Sequence, residues 1–384
     1  TALFSYLFAK ANNGNFLLRF EDTDRERSKE EYVESILKSL DWMNIKLDSD
    51  PVYQSKKITQ HKDLAIELYK KGLAYACDCN EEALTKMREE QIAKKQKPKY
   101  NGLNRNKEIK YAEGMVLRFK FPQEGVSKFK DLILGDISIN NKEFDDFIIL
   151  RKDGSPTYNF SAAVDDMDMK ITTVIRGDDH ITNTLKQINV LNAFGAKIPS
   201  YAHLPMVLAE SGKRLSKRDG AKDILDYKEE GYLSDALINY LVRLGWSYGE
   251  EEVFSLDELK KIFKLNQVNS SPSKYSKDLL DWYNNKYLNF LTPKELISKV
   301  KENSGTDFNQ IDNGEQAISL LAKGANSLNQ IAEESSYFFE EPETKFASLS
   351  IDTDKKLLLS KFSKQLKEID FKKNEIEKYI KEFL

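Results

Sequence analysis

The chain alternates between short apolar runs and longer stretches in which apolar residues recur every three or four positions. Residues 1–12 carry apolar side chains on most faces and end before Gly14, which predicts a buried helix closed by a glycine, and residues 16–20 predict a strand. The helical period returns at about 56–72 and at 182–194. Helices that alternate with short apolar strands indicate a parallel α/β sheet.

The pattern changes between residues 75 and 157. A helix rich in Lys and Glu comes first, and Asp153-Gly154 then predicts the turn of a β-hairpin. The predicted strands of this segment lie at 116–121, 133–139, 147–150 and 157–160. An α+β segment between two α/β stretches predicts an insertion within the sheet.

After Asp223 the pattern is almost wholly helical. Ser255 with Glu258, and Thr292 with Glu295, have the spacing of capping boxes at helix N-termini. We therefore predict an α/β fold with an α+β insertion and an all-α C-terminal region. The predicted division is a split sheet domain at 1–74 and 158–222, the insertion at 75–157, and helical domains at 223–291 and 292–384.

Composition narrows the class of protein. A chain of 384 residues is too long for a single core, and with 32% charged residues it has no apolar stretch long enough to cross a bilayer. We expect a soluble protein with no membrane partner. Two cysteines in so long a chain exclude a disulfide framework and predict a cytoplasmic location.

The net charge of −3 gives no hint of a nucleic-acid partner, but the charge is unevenly distributed. Nine Lys or Arg stand against three Asp or Glu between Lys86 and Lys110. A patch of this kind contacts phosphates, and its alternative is a solvated helix end. The candidate phosphate contacts are Lys94, Lys95, Lys97 and Lys99.

Two polar loops follow predicted strands, at the edge where open α/β sheets bind ligands. Glu21 begins the first loop, and it can hold a substrate ammonium group or form an ordinary ion pair. Arg176 in the second loop can bind a substrate carboxylate or pair with Asp178 or Asp179 beside it. Tyr158, on a strand predicted to reach the same edge, is either a ligand contact or core.

A basic loop bounded by Gly212 and Gly220 follows an apolar run at 206–209 that predicts a buried strand. Cations on such a loop can close over a polyphosphate and neutralise the charge that develops as a phosphoanhydride breaks. A solvated turn is the alternative, and the loop alone does not decide between them.

Cys77 and Cys79 raise the question of a metal site. Residues 100–106 supply no further ligands, and two thiolates do not complete a tetrahedral zinc site. We predict free or buried thiols.

Taken together, five motifs resemble those of the bacterial glutamyl-tRNA synthetases of class I in order and spacing. The resemblance is close from residue 1 to about 290, including an aromatic run at 281–287 that is similar to the stem-contact region of that family. The motifs are Arg19-Phe20-Glu21-Asp22-Thr23-Asp24, Pro156-Thr157-Tyr158-Asn159-Phe160, Val164-Asp165-Asp166, Val174-Ile175-Arg176-Gly177-Asp178-Asp179-His180 and Lys213 to Gly220.

The resemblance implies a Rossmann-like catalytic sheet and the ATP- and Mg²⁺-dependent ligation of L-glutamate to tRNA(Glu) through a glutamyl adenylate. The enzyme is expected to be monomeric, and whether tRNA(Gln) is a second partner stays open. The insertion would hold the acceptor end of the tRNA, and the C-terminal helices would reach toward the anticodon.

The resemblance also implies roles for individual residues. The basic loop matches the KMSKS motif, in which Lys217 would contact the ATP phosphates with support from Arg214, Ser216 and Arg218. Asp179 and His180 would lie near ATP. Glutamate would be bound by Arg176 at its side-chain carboxylate, by Glu21 at its amino group, and by Tyr158 as a wall of the pocket. No zinc is expected, because Asn104 and Asn106 stand where zinc-binding members carry Cys and His.

Two departures from the family pattern lead to further expectations. The HIGH motif of the family precedes the residues that match Thr1, so we expect this sequence to begin after that motif and the first strand, and to stop within the last helical subdomain. The alternatives are then a tRNA-binding fragment without catalysis, a glutaminyl-tRNA synthetase, and glutamyl transfer to a modified tRNA base. The charge of Arg176 argues against an amide substrate, and the long helical tail argues against base modification.

Overall fold

The first part of the chain builds short strands between helices. A computed structural model describes residues 1–23, 30–215 and 222–339, with single positions at 357, 360, 361 and 364. The first elements are α1 (Ala2–Ala11), β1 (Arg19–Phe20), α2 (Glu30–Trp42), β2 (Val52–Tyr53), α3 (Ile58–Lys70) and β3 (Ala74–Cys77). Strand β1 pairs in parallel with β2 and is shorter than the strand predicted at 16–20.

The inserted segment forms two β-structures with different neighbours. Its elements are α4 (Glu81–Ala93), β4 (Val116–Phe119), β5 (Val126–Asp131), β6 (Gly135–Asn140) and β7 (Ile148–Leu150). Strand β4 pairs antiparallel with both β3 and β7 in a three-stranded sheet. The β5–β6 hairpin instead extends the sheet of the following segment.

That following segment contains α5 (Tyr158–Asp168), β8 (Thr173–Gly177), α6 (Ile181–Ala193), β9 (Ser200–Leu204) and β10 (Val207–Leu208). Strands β8 and β9 are parallel neighbours in a four-stranded sheet of order β6-β5-β9-β8, and Asp131 of β5 is the residue that pairs with Tyr201 of β9. The predicted α/β fold with parallel strands is confirmed.

The strand predicted at 157–160 is wrong, because Tyr158 is the first residue of helix α5. Phe160, Ala162, Ala163 and Val164 are all buried, so the helix contacts protein on more than one side. A helix buried on several faces lacks a polar stripe, and its short apolar run is then indistinguishable from a strand.

The strand predicted at 206–209 is only partly present, as β10 covers two half-buried residues. Its partner is the equally short β11 (Ser273–Lys274). Met206 and Val207 line a cavity, described below, which is why this apolar run is not packed as a core strand.

The C-terminal part is helical as far as residue 339, as predicted, and most of the predicted helical region at 340–384 lies outside the described residues. Its helices are α7 (Ile224–Glu229), α8 (Ser234–Arg243), α9 (Leu256–Ile262), α10 (Lys277–Phe290), α11 (Pro293–Ser304), α12 (Gly314–Gly324), α13 (Leu328–Glu334) and α14 (Ser336–Phe339). Both predicted capping boxes are confirmed, at Ser255 with Glu258 and at Thr292 with Glu295. Among the described helices, none is long and apolar enough to cross a membrane.

Helix α1 lies in the main core, as its apolar pattern predicts. Leu7 and Trp246 are both 0% exposed and belong to one cluster with Phe263 at the end of α9. The ring of Phe4 packs edge-on against Phe263 with centroids 5.4 Å apart. This packing holds α1 and the helices after α7 against the parallel strands.

A second core joins the C-terminal helices to the turn between α7 and α8. Leu233 and Ala236 from this turn and from α8 pack with Leu288, Leu296 and Ile331. At Gly231 the backbone has φ +80°, and a Cβ would lie 2.7 Å from the backbone nitrogen of Asn329. The amide of Leu328 also donates to the carbonyl of Gly231 at 2.9 Å. The backbone of the α7–α8 turn is therefore in direct contact with the backbone at the start of α13.

The cap of α11 gives a stability prediction. Thr292 Oγ1 accepts a hydrogen bond from the Glu295 amide at 3.4 Å, and the Glu295 carboxylate accepts one from the Thr292 amide at 2.8 Å. We expect Thr292→Ala to lower the free energy of unfolding by about 1 kcal/mol. Urea denaturation followed by circular dichroism measures this. Thr292→Ser keeps the hydroxyl and serves as the control, so an equal loss in both variants would contradict the role of the cap.

Candidate active site

The end of strand β8 brings together the residues predicted to bind an amino acid. Arg176 Nη1 lies 3.4 Å from Tyr158 Oη, and Tyr158 Oη lies 3.2 Å from His180 Nδ1. Burial raises the pKa of Tyr158, with the Arg176 charge opposing this effect and the Glu21 carboxylate adding to it. Burial also lowers the pKa of His180, and the positive charge of Arg176 adds to that shift.

Arg176 is not paired with the aspartates beside it. Asp179 accepts a hydrogen bond from Arg214 Nη2 at 3.1 Å instead. Among the described residues, the hydrogen-bond partners of Arg176 are the side chains of Tyr158, Thr184 and His203 and the carbonyl of His180, none of which is a carboxylate. The guanidinium therefore keeps a positive charge that has no carboxylate partner in this part of the chain.

Glu21 contacts a network of buried charged side chains. Its carboxylate lies 3.5 Å from Arg19 Nη2, and Arg19 Nη1 donates to Asp166 Oδ1 at 2.7 Å. Burial raises the pKa of Asp166, although the charge of Arg19 acts against this. Arg19 thus links the end of β1 to helix α5 and fixes the position of Glu21.

A second buried acid, Asp165, belongs to the same network. Asp165 is 0% exposed and accepts hydrogen bonds from Gln54 Nε2 at 2.7 Å and from His61 Nε2 at 2.9 Å. Burial alone would raise the pKa of Asp165, but these hydrogen bonds and the nearby charges outweigh it and leave the pKa below its ordinary value. The sequence placed Arg19, Asp165 and Asp166 in motifs but gave no hint that they form one network.

Two buried polar atoms around the site have no hydrogen-bond partner within the described part of the chain. They are Asn159 Oδ1 and Tyr201 Oη. The guanidinium of Arg176 lies 5.8 Å from the centroid of the Tyr201 ring, and Asn159 follows Tyr158 directly in the chain. Buried polar groups are rarely left unpaired, so these atoms indicate a pocket suited to a polar ligand.

A cavity of about 350 Å³ opens on the other side of the β8 end. Its wall combines apolar side chains with the ion pair of Asp179 and Arg214. The lining residues include Leu3, Phe4, Gly177, Asp179, Pro205, Met206, Val207, Arg214, Leu215, Leu244 and Gly245. Of the predicted phosphate-loop residues, Arg214 lines this cavity, whereas Ser216, Lys217 and Arg218 lie outside the described residues. His180 does not line this cavity itself, but its Nε2 lies 3.9 Å from Asp179 Oδ1 of the wall, while its Nδ1 faces Tyr158 and Asn183.

A basic groove of about 490 Å³ starts beside Tyr158 and runs toward the insertion. Its cationic lining residues are Arg88, Lys99, Arg118, Arg151 and Lys186. Lys99 is the predicted phosphate contact that lies in this groove, and Lys94, Lys95 and Lys97 are exposed at the end of α4. Arg88 belongs to the basic segment at 86–110, whereas Arg118, Arg151 and Lys186 lie outside that segment and join it only in the fold.

Cys77 and Cys79 are buried free thiols, as predicted. Tyr100 Oη lies 3.6 Å from Cys77 Sγ and 3.8 Å from Cys79 Sγ, and Asn104 Nδ2 lies 3.9 Å from Cys77 Sγ. In residues 1–23, 30–215 and 222–339, no group of three or more His, Cys, Asp or Glu side chains is arranged to hold a metal ion. A phenol and an amide therefore complete the surroundings of these thiols.

Comparison with known proteins assigns the class. Residues 1–282 match the family model of the catalytic domain of class I tRNA synthetases (E and Q), and residues 283–384 match the model of an anticodon binding domain. An arginine, a glutamate and a basic segment at the ends of strands β8, β1 and β10 agree with that match. The protein is a class I aminoacyl-tRNA synthetase.

Individual relatives narrow the assignment. Glutamate–tRNA ligase 1 of Coxiella burnetii (strain RSA 331 / Henzerling II) is 47% identical over 345 residues, which cover 89% of this chain and 74% of the relative. The glutamate–tRNA ligase of Francisella tularensis subsp. novicida (strain U112) is 45% identical over 346 residues, with the same coverage. The crystal structure of a glutamate tRNA ligase from Elizabethkingia meningosepticum in complex with its amino acid superposes with a TM-score of 0.83 at 29% identity, covering 100% of this chain and 85% of that one. The chain belongs to the glutamate–tRNA ligase family.

Proposed function

We propose that this ligase activates L-glutamate with ATP and then transfers the glutamyl group to tRNA(Glu). In the first step the α-carboxylate of glutamate attacks the α-phosphorus of ATP, and pyrophosphate leaves. In the second, the 2′-hydroxyl of the terminal adenosine attacks the carbonyl carbon of the adenylate, and AMP leaves. The observation that carries the proposal is that Arg176, beside Tyr158, has no carboxylate partner among the described residues, with the buried polar atoms of Asn159 and Tyr201 nearby also unpartnered there.

Glutamate recognition rests on charge. We assign Arg176 to the side-chain carboxylate of glutamate, because a guanidinium without an ion-pair partner among the described residues offers full charge and planar donors. Glu21, with 41% of its side chain exposed and its other side braced by Arg19, is assigned to the ammonium group. Tyr158 forms the wall between them. A glutamine amide would leave the Arg176 charge without compensation, which favours glutamate as the substrate.

We assign the cavity of 350 Å³ to ATP, with Asp179 and Arg214 at its polar end and His180 nearby. Lys217, supported by Ser216 and Arg218, is assigned to the phosphates from its place in the KMSKS motif. Asp179 is the one carboxylate among the described lining residues, so Mg²⁺ would be held chiefly by the nucleotide phosphates. Bound in that way, Mg²⁺ supplies charge neutralisation at the phosphates.

The tRNA is assigned to the basic groove and to the surfaces beyond it. The groove starts at Tyr158, and a single-stranded acceptor end with its phosphates matches the five cations of its lining. Exposed Lys94, Lys95 and Lys97 extend this charge outward. In this proposal residues 1–74 and 158–222 catalyse, 75–157 hold the acceptor end, 223–291 contact the stem, and 292–384 reach toward the anticodon, in a monomeric cytoplasmic enzyme.

Aminoacylation with radiolabelled amino acids tests the proposal. We expect ATP-dependent charging of tRNA(Glu) with glutamate and none with glutamine, because only the carboxylate neutralises Arg176. Parallel reactions with tRNA(Gln) determine whether that tRNA is also a substrate. Binding of tRNA without charging of any amino acid would contradict the proposal and support the tRNA-binding alternative.

A further inference from the structure

A chain of buried side chains runs from Arg176 to an aspartate on the inserted hairpin. Arg176 Nη2 donates to Thr184 Oγ1 at 2.6 Å, Thr184 Oγ1 lies 2.9 Å from His203 Nε2, and His203 Nδ1 lies 2.7 Å from Asp131 Oδ2. Thr184 is on α6, His203 on β9 and Asp131 at the end of β5. The chain therefore connects three elements that are distant in sequence.

The aspartate at the end of this chain is fixed by the backbone. Asp131 Oδ1 accepts hydrogen bonds from the amides of Ile133 and Leu134, each at 2.9 Å, and from the amide of His203 at 3.3 Å. Burial alone would raise the pKa of Asp131, but these bonds and the one from His203 outweigh it and leave the pKa below its ordinary value. Asp131 therefore presents a charged Oδ2 to the imidazole.

The charged Oδ2 determines which nitrogen of His203 carries the proton. An acceptor at 2.7 Å from Nδ1 places the hydrogen on Nδ1 and leaves Nε2 as an acceptor. Nε2 then accepts from the hydroxyl of Thr184, whose oxygen accepts in turn from Arg176. Arg176 Nε also points at the same Nε2 from 3.4 Å. The Thr184 hydroxyl also lies 3.3 Å from the carbonyl oxygen of His180, but a hydrogen on Nε2 would oppose Arg176 Nε, so the Nδ1–H form is the one that gives each of these donors an acceptor.

We propose that Asp131, His203 and Thr184 are positioning residues that set the plane of the Arg176 guanidinium and so its affinity for the glutamate carboxylate. The inference rests on the proposed role of Arg176 and adds three residues to it. Thr184 and His203 are each 0% exposed and Asp131 is 2% exposed, so water does not substitute for a lost partner. Because Nε and Nη2 are held by His203 and Thr184, Nη1 is the end of the fork that faces Tyr158 and the pocket.

The hydrogen-bonded series Asp131–His203–Thr184–Arg176 is called the relay below. Asp131→Asn tests the relay at the end farthest from Arg176. The three backbone amides at Oδ1 will retain the amide oxygen of the new side chain, so its NH₂ will face His203 Nδ1. The imidazole must then move its hydrogen to Nε2, where it opposes Arg176 Nε and turns the Thr184 hydroxyl hydrogen away toward the carbonyl of His180. We expect the KM for glutamate to rise at least tenfold, the size of a hydrogen bond to a charged group, with the KM for ATP changed less than twofold.

Thr184→Val removes the hydroxyl in the middle of the relay and keeps the shape of the side chain. The same rise in the KM for glutamate is expected, and Thr184→Ser should restore most of the wild-type value because it keeps the hydroxyl. Asp136→Asn, an exposed position on strand β6 of the same hairpin, is the matched control and should leave both KM values unchanged. An unchanged KM for glutamate in both Asp131→Asn and Thr184→Val, or no rescue by serine, would overturn the relay.

A second measurement does not depend on catalysis. The chain has three histidines, so ¹⁵N NMR of labelled protein can resolve the ring of His203 from His61 and His180. We expect the Nδ1–H tautomer in the wild-type protein and the Nε2–H tautomer in Asp131→Asn. The same tautomer in both would overturn the relay even in an active enzyme. Failure of wild-type protein to charge glutamate, with the expected tautomers present, would instead overturn the proposed substrate.

Discussion

Arg176→Gln is expected to lower kcat/KM for glutamate by about 10²- to 10³-fold, the loss typical when one partner of a desolvated charge pair is removed. The glutamine side chain keeps hydrogen-bond donors but loses the charge that the substrate carboxylate requires. The ratio of kcat/KM for glutamate to kcat/KM for glutamine should therefore fall in the same variant. Steady-state aminoacylation with each amino acid measures both effects.

Two controls show whether the loss in Arg176→Gln is specific to glutamate binding. The KM for ATP should change little, because the cavity assigned to ATP lies on the other side of the β8 end. Arg243→Gln makes the same substitution on α8, where the guanidinium donates to the carbonyl of Trp246, and should leave kcat/KM near the wild-type value. A normal kcat/KM for glutamate in Arg176→Gln would remove Arg176 from the site.

Lys217→Ala is expected to lower the rate of adenylate formation by about 10²-fold or more, with a smaller change in the KM for ATP. A cation at the phosphates acts most strongly when negative charge develops on the departing pyrophosphate, so its loss appears mainly in kcat. Pre-steady-state formation of the adenylate measures this step directly.

The control for this variant lies a few residues along the chain. Lys222 pairs with Glu230 and does not line the cavity of 350 Å³, so Lys222→Ala should have near-normal kinetics. If Lys217→Ala forms the adenylate at the wild-type rate, the phosphate role assigned from the KMSKS motif is wrong. Equal losses in both variants would indicate a general effect of positive charge rather than a specific contact.

The sequence was sufficient for features that depend on neighbours in the chain. Helices with clear capping residues, such as α9 at Ser255 and α11 at Thr292, began where the pattern indicated. The polar segment after the apolar residues 173–175 was recognised, although Arg176, which was predicted to lie in the loop, still belongs to strand β8. In each case a few consecutive residues determine the local structure.

Features that depend on tertiary packing could not be obtained in this way. Helix α5 was mistaken for a strand because burial on several faces removes the polar stripe that distinguishes a surface helix. Asp131, Thr184 and His203 each look ordinary in sequence, and 72 positions separate the residues joined by the His203–Asp131 contact. The one available signal was a histidine inside the apolar strand Ser200–Leu204, which indicates a buried polar partner without identifying it.

The main-chain contact at Gly231 has a practical consequence for dissecting this enzyme. The family models divide the chain between residues 282 and 283, but the core of Leu233, Ala236, Leu288 and Ile331 continues across that division. A truncated protein that ends there would expose apolar surface on α8 and lose the backbone partners of Gly231. A catalytic half expressed by itself therefore needs new polar residues on α8, since the boundary between the two family matches is not a boundary of packing.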